Sequence, residues 1–331
     1  MNARYQRYQR QITVEQIGLT GQQALANSRV LLVGLGGLGC VVASQLVGAG
    51  IGEVTLVEHD CVDISNLHRQ HLYREQDAGK PKVEVAHLAL QALNSDVHLT
   101  RHNTRIHPGN ALELADGVDL IIDAADNFGT SYLLSDASTQ LGIPLLSASV
   151  NKTFGYLGLF GAQWPSLRAV FPRIPTQQQG CNEVGVTGPS VGLLANLQAQ
   201  EAIKLLTHQP TLGGRLLYLD CWQYDVSIVD VSAATEPTGP RIDLISQHQL
   251  QDSDYVIDVR SEEEVQAKPQ PFVVHSQQPL ASSQPLRLPA DCHRVVLACQ
   301  TGHRAIVAGQ QLLNTPHADT DYPPLAALLP S

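Results

Sequence analysis

A glycine-rich turn between a predicted strand and a predicted helix limits the folds that this chain can adopt. Residues 28–33 are apolar and rich in β-branched side chains, which predicts a buried strand. A small, apolar helical segment at 40–48 and a second strand at 53–58 follow the turn. Such a turn lets backbone amides approach a phosphate, and Glu58 at the end of the second strand would accept ribose hydroxyls. The four glycines of the turn are Gly34, Gly36, Gly37 and Gly39.

The alternation of strands and helices continues along the chain and indicates an α/β fold. The sequence predicts strands at 97–100, 118–123 and 144–148 and helices at 83–93, 132–141 and 189–206. Residues 215–231 read as paired strands, and the Pro-, Gln- and Gly-rich stretch at 172–188 predicts a mobile surface loop. We therefore expect a Rossmann-like mixed sheet with helices on both faces. A turn that only packs a helix on a strand is the alternative to nucleotide binding.

A second, smaller α/β domain is predicted after a segment of linker composition. Residues 233–240 are rich in Ala, Thr, Pro and Gly. Strands are expected at 255–258 and 295–298, and a helix at 305–313. The predicted organisation is a nucleotide-binding domain at 1–232, a linker at 233–240 and a small domain at 241–331.

Charge and cysteine spacing exclude several classes of protein. The net charge is −10, without the basic stripe that nucleic-acid binding needs. No apolar run reaches the ~20 residues of a membrane span, and the polar N-terminus lacks the pattern of a secretory signal, so we expect a cytoplasmic protein. The six cysteines form no CxxC pair and predict neither a disulfide framework nor a zinc site.

Polar and charged residues after successive sheet elements favour a triphosphate over a dinucleotide. Open α/β sheets bind ligands at the carboxyl ends of their strands. Arginine and lysine suit a triphosphate, and aspartate suits Mg²⁺. A nicotinamide-dependent oxidoreductase would not need these groups. The candidate residues are Asn66, Arg69, Gln70, Lys82, Asp126 and Asn127.

The motifs resemble those of the ThiF/MoeB/HesA family, relatives of ubiquitin-activating enzymes, over residues 7–231. They are RYQRQI at 7–12, GLGGLG at 34–39, SNLHRQ at 65–70, Pro-Lys at 81–82 and Asp-Asn at 126–127. The resemblance implies adenylation, with Mg²⁺ and ATP, of the C-terminal glycine of a ubiquitin-like sulfur-carrier protein. It also implies a homodimer in which Arg10 reaches the partner's site. Asn66, Arg69, Gln70 and Lys82 would hold phosphates, and Asp126 would bind Mg²⁺ or orient ATP.

The chain departs from this family pattern at several positions. The family usually holds a structural zinc with two CxxC pairs, whereas Ser166 to Ala169 stand at the first pair and the second is missing after Trp222. We therefore expect no zinc. Ser131 stands where arginine is common and Tyr156 where glutamine is usual. These departures affect substrate contacts rather than the reaction class.

Two cysteines are candidates for covalent chemistry. Cys181 matches the family's crossover-loop cysteine. The sequence favours equally two interpretations of this residue, a nucleophile and a dispensable surface thiol. Cys299 follows a predicted strand and precedes a helix, so backbone amides and the helix dipole can stabilise a thiolate or persulfide, with Arg304 as a nearby cation. Residues 242–313, including Glu264, resemble a short and divergent rhodanese domain. A degenerate docking domain is the alternative.

Together the two sites predict an adenylyltransferase with sulfurtransferase activity. The first domain would make a carrier acyl-adenylate, and a persulfide on Cys299, loaded by a donor such as a cysteine desulfurase, would convert it to a thiocarboxylate. Thiamine, molybdopterin and tRNA pathways all remain open. The rival readings are a nicotinamide-dependent oxidoreductase and a non-catalytic module that binds carrier and nucleotide.

Overall fold

A computed structural model describes residues 3–174, 185–277, 288–289, 292–314 and 323–330. The described chain contains an eight-stranded and a five-stranded sheet. Cys181 lies outside the described residues, as does most of the predicted mobile loop. No helix in these ranges has the length and apolar character needed to cross a bilayer.

The larger sheet is mixed, with the strand order β3-β2-β1-β4-β5-β6-β7-β8. The first five strands of this order pair in parallel, and β6, β7 and β8 pair antiparallel. Chain order reverses on the two sides of β1, which creates a crevice between the carboxyl ends of β1 and β4. The strands are β1 Arg29–Val33, β2 Glu53–Glu58, β3 His98–Asn103, β4 Leu120–Asp123, β5 Leu145–Asn151, β6 Phe154–Phe160, β7 Arg215–Asp220 and β8 Asp225–Asp230.

The α/β fold class is confirmed, and the predicted strands and helices of this sheet lie within a few residues of their observed places. Sequence analysis missed β6, which returns antiparallel directly after β5. The helices are α1 Gln9–Ile12, α2 Gly18–Asn27, α3 Gly37–Ala49, α4 Lys82–Leu93, α5 Ala111–Ala115, α6 Phe128–Leu141, α7 Leu167–Val170 and α8 Gly188–Leu206.

The smaller sheet is entirely parallel, in the order β11-β10-β12-β13-β9. The predicted strands at 255–258 and 295–298 are its β10 and β12, and the predicted helix is α10. Its strands are β9 Asp243–Ile245, β10 Asp254–Asp258, β11 Ser276–Gln277, β12 Arg294–Ala298 and β13 Leu325–Leu328, with helices α9 Glu262–Ala267 and α10 His303–Asn314.

One hydrophobic cluster runs through both sheets. It joins Tyr132 and Leu133 of α6 to Ala305 and Ile306 of α10, and all four side chains are buried. A second cluster fills the opposite face of the larger sheet, where α3 packs on α8. Because the first cluster is continuous, the smaller sheet is packed on the larger one. The domain boundaries at 232 and 241 stay a prediction.

Hydrogen bonds join the predicted linker to Ser166, which stands where the family has its first CxxC pair. The Ser166 backbone N–H and hydroxyl donate to the Glu236 carboxylate at 2.8 and 2.7 Å. The Ser166 hydroxyl oxygen also accepts from the Ala169 N–H at 3.0 Å and caps α7. A polar link therefore joins the two segments. That the protein holds no zinc stays a prediction.

Replacing Ser166 with alanine should lower the free energy of unfolding by about 1–3 kcal/mol, because Glu236 loses a donor and α7 loses its cap. Urea denaturation of the purified variant measures this change. Ser232→Ala is the matched control, since the Ser232 hydroxyl bonds Asp230 on an exposed surface. Equal loss in both variants would show that Ser166 has no special role.

Candidate active site

The glycine turn joins β1 to α3 at the crevice of the larger sheet. Gly34 has φ +92°, and a Cβ there would lie 2.7 Å from the Ala124 carbonyl oxygen. A Cβ on Gly39 would overlap the Gly34 carbonyl oxygen, and one on Gly37 would lie 2.7 Å from Val191 of α8. At Gly36 a Cβ would meet only the Gln70 Nε2, at 3.8 Å. Three glycines thus allow close packing, and Gly36 leaves open space.

A pocket lies over this turn. Every nucleotide-binding candidate except Gly39 lines it, and Gly39 packs behind the turn. Thr104, Arg105 and Ile106 after β3, and Ser149 and Asn151 of β5, complete the wall and were not predicted from the sequence. The candidates in the wall are Gly34, Gly36, Gly37, Glu58, Asn66, Arg69, Gln70, Lys82, Asp126 and Asn127.

Glu58 braces the glycine turn. One carboxylate oxygen accepts from the Leu35 N–H at 2.9 Å, and the other accepts from the N–H groups of His59 and Asp60 at 2.6 and 2.8 Å. These bonds fix the end of β2 to the turn. The predicted ribose contact would therefore add to a carboxylate that already holds the backbone.

Lys82 and Arg69 supply positive charge to the pocket. Lys82 is the first residue of α4 and is 4% exposed, with Nζ 3.4 Å from Asp60 Oδ2. Arg69 Nη2 donates to Asn66 Oδ1 at 2.9 Å. Gln70 is buried, and its Oε1 has no hydrogen-bond partner within the described chain. A buried amide oxygen without a partner is costly in the absence of a ligand, so the Gln70 Oε1 favours a binding role.

Asp126 and Asn127 lie where β4 leads into α6. The Asn127 Oδ1 accepts from the Thr130 N–H at 2.9 Å and caps α6. Asp126 lines the pocket directly before this cap. The N-terminus of α6, whose dipole favours anions, therefore faces the same space as Lys82.

A buried polar cluster that was not predicted from the sequence lies beneath Asp126. Asp123 at the end of β4 accepts from the Ala125 N–H at 3.1 Å and from the Ser147 hydroxyl at 2.7 Å. Tyr156, one of the departures from the family pattern, has its hydroxyl 3.5 Å from the Ser147 hydroxyl. Ser131, the other departure, hydrogen-bonds Asp123. Both departures line the pocket, Ser131 beside this carboxyl group and Tyr156 beside the Ser147 hydroxyl that bonds it.

Burial raises the pKa of Asp123 from 3.8 to about 6, against the hydrogen bonds from Ser131 and Ser147 that lower it. The folded state then binds more protons than the unfolded state between these two pH values, so this carboxyl makes the protein less stable as pH rises through them. The free energy of unfolding of Asp123→Asn minus that of wild type should therefore increase by up to a few kcal/mol as the pH rises from 4 to 7. One pKa unit corresponds to about 1.4 kcal/mol. Urea denaturation across this range measures the difference, and a constant difference would contradict the assignment.

Cys299 lies at the predicted strand-to-helix junction of the smaller sheet, between β12 and α10. Its Sγ is buried and accepts from the Gly302 N–H at 3.1 Å. Arg304 donates to both oxygens of Glu264 at 2.8 and 2.6 Å, and this pairing lowers the pKa of Glu264 to about 2. Glu264 therefore balances much of the positive charge that Arg304 was expected to offer the sulfur. We call residues 299–304 the cysteine cradle.

Arg10 does not reach the pocket of its own chain. It lies exposed on α1. The segment before it is anchored, because Tyr8 is buried over Gly50 and its hydroxyl accepts from Asn94 Nδ2 at 2.8 Å.

Within the described chain, the one group of three close potential metal ligands is Glu58, His59 and Asp60 at this pocket.

The sequence profile of the ThiF family matches residues 8–240. The chain belongs to the ThiF family. Among ThiF-family relatives, an "adenylyltransferase and sulfurtransferase MOCS3" of Drosophila grimshawi is 42% identical over 219 residues, covering 65% of this chain and 49% of the relative. A "sulfur carrier protein adenylyltransferase" of Thermus thermophilus is 41% identical over 222 residues, covering 64% of this chain and 82% of the relative.

Solved structures show the same fold. MccB of E. coli, crystallised with MccA-N7isoASN, aligns with a TM-score of 0.64 at 21% identity, over 72% of this chain and 75% of that one. The structure of PaaA aligns with a TM-score of 0.57 at 24% identity, over 70% of this chain and 74% of that one. The chain spans about half the length of the MOCS3 relatives from Drosophila grimshawi and Dictyostelium discoideum. The matched part is 49% of the first relative and 52% of the second.

Proposed function

We propose that this chain uses ATP to adenylate the C-terminal glycine carboxylate of a ubiquitin-like sulfur-carrier protein, and that Cys299 then supplies sulfur to make a thiocarboxylate. The observation that carries the proposal is the pocket at the β1/β4 crevice. It gathers an open glycine turn, a buried lysine and an aspartate at a helix N-terminus. The names of the two ThiF-family relatives above support the same activity.

The residues of the pocket fit ATP and Mg²⁺. The space at Gly36 allows a phosphate near the N-terminal amides of α3, with Arg69 and Lys82 beside it. The unused Gln70 Oε1 can accept from a ligand hydroxyl or a water. Asp126 offers the oxygen ligand that Mg²⁺ prefers, and the bound ion would neutralise phosphate charge. Glu58 braces the turn and would contact the ribose.

Adenylation brings two anions together. A carrier carboxylate oxygen attacks the α-phosphorus, the P–O bond to the β-phosphate breaks, and pyrophosphate leaves. Arg69 and Lys82 reduce the repulsion and stabilise the charge that moves onto pyrophosphate. Asn66 and Asn127 hold Arg69 and the N-terminus of α6 in place.

We propose a homodimer because Arg10 is exposed and does not line the pocket of its own chain. The family role carried over to Arg10 is contact with the partner's ATP, which requires a second subunit. Nothing in the charge of the chain favours nucleic acid or a membrane as partner.

Sulfur transfer would follow adenylation. A persulfide on Cys299, loaded by a donor such as a cysteine desulfurase, attacks the acyl carbonyl, so a C–S bond forms and AMP leaves. The resulting acyl disulfide needs two electrons from a thiol, which attacks the Cys299 sulfur and releases the thiocarboxylate. Cys181 is the alternative route for sulfur.

Carrier-dependent ATP–pyrophosphate exchange tests the proposal. Exchange that requires a carrier ending in Gly-Gly supports adenylation. Tight NAD binding without exchange would instead identify a nicotinamide-dependent oxidoreductase. Nucleotide and carrier binding with no exchange would identify a non-catalytic module.

A further inference from the structure

One leucine, Leu329, contacts both the cysteine cradle and the first turn of α6, which borders the pocket. The Leu329 side chain packs against Gly302, whose N–H donates to Cys299 Sγ. The same Leu329 Cδ2 lies 3.3 Å from the position a Cβ would take on Gly129. Gly129 is in the first turn of α6, and its Cβ position is 3.5 Å from the Asn127 Oδ1 at the pocket.

These contacts limit the distance between the two sites. With standard bond lengths they connect Cys299 Sγ to Asn127 Oδ1 by a path of at most about 15 Å. An extended chain covers that length in about four residues. A carrier tail in the pocket could therefore bring its terminal carbonyl to the cradle without leaving the enzyme.

The cradle is held in this place by packing and by hydrogen bonds. Ile306 of α10 also contacts the Gly129 position, at 3.6 Å. Farther along α10, the Gln310 Oε1 accepts from the Ile174 N–H at 3.2 Å. The link from Ser166 to Glu236 fixes the segment that connects the sheets. A domain joined to the rest of the chain only by a flexible linker would show none of these contacts.

We propose that Cys299 delivers sulfur to the acyl-adenylate made in the pocket of its own chain, and not to that of the partner subunit. This inference rests on the proposed function. The persulfide's outer sulfur bonds to the carbonyl carbon as the C–O bond to AMP breaks, and a thiol then supplies the two electrons that release the thiocarboxylate.

Mixed dimers with differently tagged chains separate the two routes. One dimer combines a wild-type chain with a chain carrying both Asp126→Ala and Cys299→Ser. The other combines an Asp126→Ala chain with a Cys299→Ser chain. Both have one intact pocket and one intact Cys299, and they differ only in whether these are in the same chain. The assay supplies ATP, a ubiquitin-like carrier ending in Gly-Gly, glutathione persulfide and a thiol, and mass spectrometry detects carrier thiocarboxylate.

We expect the first dimer to keep about half of the wild-type rate, since one same-chain pair of sites remains, and the second to form almost none. Thiocarboxylate formed by the second dimer, at a rate equal to or above that of the first, would overturn same-chain delivery. If the tagged chains do not associate, an equimolar mixture of the two single variants replaces the second dimer, and activity there also overturns it.

Assays of the wild type and of each single variant distinguish failure of same-chain delivery from failure of the proposed function. Thiocarboxylate formed by pure Cys299→Ser would refute the sulfur role of Cys299 in both proposals. Absence of carrier adenylate in wild type would refute adenylation itself. An active second dimer or equimolar mixture, with each single variant inactive by itself, overturns same-chain delivery and leaves the proposed function standing.

Discussion

Replacing Lys82 with alanine is expected to lower carrier-dependent ATP–pyrophosphate exchange on the order of 10²-fold or more, because the pocket loses its buried cation. The positive charge of Lys82 is needed most when charge moves onto the departing pyrophosphate. Initial rates of exchange at saturating ATP and carrier measure the effect.

Lys80→Ala is the matched control for this prediction. Lys80 lies two residues earlier, and its side chain is 57% exposed and paired with Asp77 at 2.9 Å. It should keep the exchange rate within about twofold of wild type, since an exposed ion pair contributes little. Equal losses in Lys80→Ala and Lys82→Ala would place the effect outside the pocket.

Cys299→Ser is expected to abolish thiocarboxylate formation from a persulfide donor and to leave pyrophosphate exchange near the wild-type rate. In the proposed reaction the adenylate would form at the larger sheet, whereas the sulfur would bind in the cradle beside Gly302. Mass spectrometry of the carrier detects the replacement of oxygen by sulfur.

Two other cysteines provide the comparison. Cys292 is partly buried beside β12, with its Sγ directed to the Arg294 carbonyl oxygen at 3.6 Å, and Cys292→Ser should keep both activities. Cys181→Ser tests the crossover-loop route. If it blocks thiocarboxylate formation and Cys299→Ser does not, sulfur passes through Cys181 and the smaller sheet only docks the carrier.

The nucleotide pocket could be predicted from sequence because its main parts are local. The glycine turn, the lysine that begins α4 and the Asp-Asn pair each follow a strand or turn within a short motif. Parallel strands then bring these motifs to one edge of the sheet. The parallel topology was therefore enough to gather residues from 34 to 127 in one wall.

The parts that were missed depend on contacts between distant residues. β6 combines two glycines and three aromatic residues in a short run, and its identity as a strand comes from pairing with β5 and β7. β9 and β13 are only three and four residues long and are stable through the parallel sheet around them. The sequence motifs give no sign that Ser147 would bond Asp123 with Tyr156 beside it, or that Leu329 would contact both the cradle and the first turn of α6.

Transfer of label from ATP to a carrier protein would show whether this pocket adenylates the carrier. With ATP labelled at the α-phosphorus, a carrier ending in Gly-Gly should become labelled in the presence of the enzyme. ATP labelled at the γ-phosphorus should label only pyrophosphate, and a carrier lacking its last glycine should remain unlabelled. Label on the carrier from the γ-phosphorus, or none from the α-phosphorus, would contradict adenylation at this pocket.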